Sequence, residues 1–111
     1  MGYLRHECIV VSGEIAEEVL KAHAAAVAIF NSRGMGSLVS GLTQHAVNGG
    51  AAFLIAPDGS KEGWGASDTG TSARDEFIKF LNEGMSFDWA LVLIGGDDGE
   101  YRVLASPAGA A

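Results

Sequence analysis

Three histidines, one cysteine and fourteen carboxylates are the side chains of this sequence with chemistry to offer. His6, His23 and His45 lie far apart, and no HExxH, no CxxC and no second cysteine completes a set of metal ligands. No metal and no cofactor is therefore expected. Cys8 and His6 are two residues apart in a segment that reads as a strand, so both fall on one face, with Cα atoms about 6–7 Å apart. That spacing permits a thiol–imidazole pair. A cysteine at the head of Cys8-Ile9-Val10-Val11 is more simply a small buried hydrophobe, since a nucleophile needs an exposed and partnered thiol. There is no G-x-S-x-G elbow, and Ser37, Ser40, Ser67 and Ser72 fall in segments where serine serves turns. No catalytic residue is assigned, and the balance leans away from an enzyme.

Phosphate and cation sites are weakly supported. Gly34-Met35-Gly36 lacks a third glycine, and no lysine follows any glycine loop as it does in a P-loop. Thr69-Gly70-Thr71-Ser72 would offer N–H groups to an anion at a helix start, but Asp68, Asp75 and Glu76 already fill that field with negative charge. Asp97-Asp98-Gly99-Glu100 has the look of a calcium-loop fragment without the twelve-residue ligand spacing, and a hairpin turn accounts for it better. The candidate binding residues are Trp64, Asp97, Asp98 and Glu100. Trp64 sits in the polar, glycine-rich Glu62-Gly63-Trp64-Gly65, where an exposed indole is a good interface anchor, whereas Trp89 opens an apolar run and belongs in a core.

The elements that position these residues follow from periodicity. Residues 3–11 read as a central strand. Residues 14–31 have the helical period: Ile15, Val19, Ala22, Ala26 and Phe30 share a face with His23 at its side, Ser12 is the expected cap, and Glu17 pairs with Lys21. An irregular strand is expected within 38–47, a turn at Asn48-Gly49-Gly50, a buried strand over 51–56, a turn at 57–60 and a short strand over 61–65 carrying Trp64. Thr71 caps a second helix with Ala73, Phe77, Phe80 and Leu81 inward and Gly84 after its end. Residues 89–94 and 101–104 form a hairpin, and the tail 106–111 frays. The expected fold is α+β: one mainly antiparallel sheet of 4–6 strands, in the order β-α-β-β-(β)-α-β-β, with both helices on one face. Its core resembles the split βαβ arrangement.

Length and composition bound the rest. The 111 residues make one domain, and an apolar share of 48% supports a packed core. A formal charge of −7, with the seven cations dispersed, disfavours direct nucleic-acid binding. One cysteine excludes an internal disulfide and suits a reducing compartment. No signal peptide and no apolar run of membrane-spanning length is visible, so a cytoplasmic location without membrane contact is expected.

Val47-Asn48-Gly49, the stretch from Phe53-Leu54-Ile55-Ala56-Pro57-Asp58 through Gly63-Trp64, Ala73-Arg74-Asp75-Glu76-Phe77 and the Gly96-Asp97-Asp98-Gly99 turn together resemble a group of small uncharacterised proteins encoded by bacteriophages and prophages. The resemblance implies a phage gene product in the bacterial host's cytoplasm and carries over no site residue. The leading expectation is a non-enzymatic accessory module that binds a host protein through electrostatic complementarity. The alternative is a binder of small, nucleotide-like ligands that uses the glycine-rich loops at 34–36, 63–65 and 95–96. An enzyme using Cys8 or a histidine, and a structural part of the virion, are the remaining expectations. A homodimer is compatible with each, because a small sheet with a bare face tends to pair.

Overall fold

The computed structural model describes residues 4–61, 63–83, 88–97, 99–107 and 109–110. Its centre is β1 (Glu7–Gly13), hydrogen-bonded on one side to β3 (Ala51–Ile55) and on the other to β4 (Asp88–Gly95). Outside these lie β2 (Thr43–Gln44) next to β3, then β5 (Glu100–Ser106) and β6 (Gly109–Ala110) beyond β4. The six-stranded order is β2-β3-β1-β4-β5-β6, and every pair is antiparallel. Two helices, α1 (Ala16–Asn31) and α2 (Gly65–Asn82), complete the fold. Because β3 and β4 both run opposite to β1, they are parallel to each other, and α2 crosses between them. This is the split βαβ core expected from the sequence, extended by a hairpin.

Strand register sorts the side chains into two faces. Ile9 faces Ile55 and Leu91, and Val11 faces Phe53 and Trp89. These side chains form the core with Val19, Ala22, Ala26 and Phe30 of α1 and Ala73, Phe77 and Leu81 of α2. Phe53 and Phe77 meet at 6.2 Å between ring centroids, and His23 is set edge-on to Phe53 at 5.0 Å. Both helices therefore cover one face of the sheet. The alternate residues, Val10, Leu54, Ala52, Ala90 and Val92, point to the opposite face, on which neither helix lies.

Helix ends differ from the capping pattern read in sequence. Ser12 remains in β1, opposite Ala52 and Asp88, and the residue before α1 is Ile15, which gives no side-chain cap. At the far end Gly34 adopts φ +73°. The Met35 N–H donates to the Phe30 carbonyl at 2.8 Å and the Gly34 N–H to that of Asn31 at 3.0 Å, a Schellman stop that favours glycine.

Three further expectations are corrected. Among the described residues of 61–65 no strand forms: Lys61 makes one bridge to Leu4, and Trp64 is the residue before α2. α2 starts at Gly65, so Thr71 lies inside it rather than capping it. The weak helix formers of 65–72 are held by tertiary contacts around Arg74, while the Thr69 hydroxyl bonds back to the Gly65 carbonyl at 3.0 Å, a contact that does not itself stabilise a helix. The irregular strand expected within 38–47 is present: after a 3₁₀ turn (Gly36–Leu38), Val39 bridges Ile55, the Ser40 N–H donates to the Leu54 carbonyl at 2.9 Å, and β2 pairs with β3. The tail turns at Pro107, and Gly109–Ala110 pairs with Ala105 and Ser106. Gly84 lies outside the described residues.

At Gly70 of α2 an added Cβ would collide with the Asp58 carboxylate, which would have to move out of its bonds to Arg74 and Ser60. Gly65 faces open space. Gly70→Ala should lower unfolding free energy by about 2 kcal/mol in urea titrations, despite the ~1 kcal/mol gain in helix propensity. Gly65→Ala, at the first residue of α2 and with nothing to meet, should leave stability unchanged or raise it.

Candidate functional site

The residue that organises the polar chemistry is Arg74, inward-facing on α2 and only 5% exposed. Its Nη1 donates to Asp58 Oδ2 at 3.1 Å and its Nη2 to Thr71 Oγ1 at 3.2 Å, while Nε lies 3.9 Å from Glu7 Oε1 on β1. Glu7 in turn accepts from Arg5 Nε at 2.9 Å. Asp58 accepts at Oδ1 from both the N–H and the hydroxyl of Ser60. Burial acts to raise the Asp58 pKa, but the Ser60 hydrogen bonds and the Arg74 guanidinium outweigh it and hold the carboxyl below its usual range. Beside this network is a polar hollow of about 320 Å³, lined by Arg5, Glu7, Gly63, Ser67, Asp68, Thr71 and Arg74. It presents cations and carboxylates together, a wall suited to a zwitterionic or hydroxyl-rich molecule.

A second hollow of about 300 Å³ opens at the other end of β1, where Ser12 Oγ and His45 Nε2 lie 3.2 Å apart, with Asp88 opposite Ser12 on β4. The residue types are those of a serine–histidine pair. In a working pair a carboxylate orients the far ring nitrogen; here Nδ1 stands over Gly50, where a Cβ would strike it, and Asp88 is strand-paired to Ser12. His45 is exposed, and among the described residues its ring bonds only Ser12. The contact fastens the 45–50 turn to the end of β1.

Of the candidate binding residues, Trp64 is 52% exposed at the start of α2, consistent with an anchor. Asp97 is engaged by the chain itself: its Oδ2 accepts from the Leu4 N–H at 2.8 Å, and its own N–H donates to the Leu4 carbonyl at 3.0 Å. Glu100 pairs with Arg102 at 3.1 Å on the exposed hairpin. Asp98 lies outside the described residues. Leu4 bridges Lys61 and binds Asp97, so the stretch before Trp64 and the β4–β5 turn share one end of the molecule. Cys8 is buried, and burial pushes its thiol pKa up, away from a thiolate nucleophile. His23 Nε2 lies 2.8 Å from the Ser40 carbonyl, which makes it the donor there. Among the described residues no group of histidine, cysteine and carboxylates is arranged to hold a metal.

Sequence reasoning missed Arg74 with Asp58 and Ser12 with His45. These pairs join residues 16 and 33 positions apart, and no local pattern announces them. The uncovered sheet face is the one expected when both helices are placed on a single side. Comparison with protein-family models, with characterised proteins and with solved structures finds no match to this chain.

The depressed Asp58 carboxyl contributes stability that is present above its unfolded pKa of about 3.9 and is lost as pH falls through the lower folded value. Asp58→Asn should cost about 3 kcal/mol at neutral pH, since it leaves a buried guanidinium short of its counter-charge. Its stability should also fall less steeply than wild type between pH ~5 and ~2 when unfolding is followed by circular dichroism.

Proposed function

We propose that this chain is a non-enzymatic protein-binding module whose acidic helical layer docks on a basic surface of a partner protein. The observation that carries this reading is the solvent side of α2. Asp68, Asp75, Glu76 and Glu83 follow one another along it with Lys79 as the lone cation of that stripe, while Arg74 of the same helix is turned inward. Glu14 and Glu17 add exposed negative charge around the start of α1. Arg33 offsets part of it, pairing with Glu76 at 2.5 Å. Such a layer speeds encounter with a basic surface and loses attraction as salt is added. The resemblance to small phage proteins supports a bacterial host protein as that partner.

A second reading rests on the hollow beside Arg74, whose wall carries Arg5 together with the Ser67 and Thr71 hydroxyls, Arg74 itself being engaged by Asp58 and Thr71. It supports a small nucleotide-like ligand, although Glu7 and Asp68 in the same wall oppose a phosphate. A rise in Tm with millimolar nucleotide, lost in Arg5→Gln, would favour it; a flat response across a nucleotide and amino-acid panel would remove it.

The leading reading is tested by capture on the tagged protein from bacterial lysate at low and high salt, with Asp75→Lys/Glu83→Lys alongside. The expected result is a stoichiometric basic protein that salt releases and the charge-reversed variant does not retain. A partner held equally by the variant, or none at low salt, overturns it.

A further inference from the structure

We propose that the open face of the sheet is covered by a second copy of this chain, giving a two-fold dimer in which the sheets pack face to face and the helical layers point outward. This is independent of the acidic docking surface, which lies on the opposite side.

The strands themselves state the problem. A sheet covered on one side alternates apolar and polar residues, whereas a strand buried on both sides is continuously apolar. β1 carries Cys8-Ile9-Val10-Val11, β3 is Ala51-Ala52-Phe53-Leu54-Ile55, and β4 runs Trp89-Ala90-Leu91-Val92-Leu93-Ile94. These are strands of the two-sided kind, and the helices cover one side only. On the other side Val10, Leu54, Ile94, Val103 and Tyr101 are 41–75% exposed, and they make up five of the nine large apolar side chains exposed among the described residues. Register makes them neighbours: Leu54 beside Val10, Val10 beside Ala90, Val92 beside Val103, and Ile94 beside Tyr101.

The occupant follows from charge, shape and area. Within these rows the ionisable side chains are the buried Cys8, the phenol of Tyr101 and, at one end, Asp88, with His6 opposite Ile94 at the other end, although the chain carries a net −7. A charged partner would strand its charges against this face, whereas a second copy presents the same uncharged surface and keeps both acidic layers apart. Val10 stands as a ridge between two shallow apolar hollows of about 210 and 260 Å³, so a two-fold axis near it would set the ridge of each copy into a hollow of the other. Five strands at ~4.8 Å spacing and about six residues of ~3.3 Å rise give a face of roughly 480 Å² in plan. The ridged accessible surface exceeds its plan, which brings the contact to about 600 Å² per copy, the low end for a specific pairing and consistent with a roughly micromolar dimer. Pairing by the sheet edges is less favourable. β2 is two residues long, and the part of β5 left uncovered by β6 carries Glu100 and Arg102, charges of the kind that guard an edge.

Sedimentation velocity of the full chain over a wide concentration range tests the proposal. The expected result is a monomer–dimer equilibrium at one and two times 11.5 kDa that survives about 1 M salt, where surface charge is screened to ~3 Å. Val10→Glu and Leu54→Lys should each weaken the dimer by about a hundredfold or more, because each buries an unpaired charge. Leu20→Glu, on exposed α1, should leave it unchanged. Radical footprinting of Tyr101 in the wild type, dilute against concentrated, should show protection in the dimer and needs no variant to fold. A chain that stays monomeric at several hundred micromolar, a dimer that both folded variants retain, or a Tyr101 equally reactive in monomer and dimer overturns the proposal.

Discussion

A guanidinium withdrawn from water must be met by opposite charge and hydrogen bonds, and at Arg74 that requirement links three parts of the chain. Asp58 comes from the turn after β3, Glu7 from the start of the central strand, and Thr71 from the preceding turn of α2. Ser60 completes the shell of Asp58, and Gly70 leaves it room. The desolvation of such a pair is expensive, so its value lies less in net stability than in register. With Arg74 fixed, Ala73, Phe77 and Leu81 are directed at Ile9, Val11 and Phe53. The same contacts keep helical the Gly- and Thr-containing first turns of α2, which local propensity would leave as a loop.

The fold that results has two unlike sides. Charge is concentrated on the helical layer and absent from the middle of the open sheet face. The division is a consequence of topology: the split βαβ crossover and α1 both fall on one side of β1, so amphipathic helices shield that side and present their own polar stripes outward. The proposed basic partner and the proposed second copy would thus meet different surfaces, and neither would displace the other.

The polar sites illustrate how similar residue types acquire different roles. Ser12 and His45 have the chemistry of a nucleophile and a base, yet their hydrogen bond secures an exposed turn against β1. Asp97, which the sequence offers as a binding carboxylate, accepts from the Leu4 N–H and so fixes the entry into β1. Trp64 of that group is 52% exposed at the start of α2.

Periodicity and turn chemistry determined the two helices, the strands read at 3–11, 51–56, 89–94 and 101–104 (observed at 7–13, 51–55, 88–95 and 100–106), their α+β class and the helix faces that became core. These are properties of neighbouring residues, and Val19, Ala22, Ala26 and Phe30 lie on one face of any helix they form. The start of α2 was illegible because its stability comes from Asp58, a residue outside the helix, and not from the propensities of 65–72. Ser12 was misread as a cap because β1 extends two residues further on the strength of pairings with Ala52 and Asp88. Which cation would be buried and which hydroxyl would meet which imidazole were decided only in three dimensions. Those outcomes depend on long-range registration of strands and helices, which a local pattern constrains but does not contain.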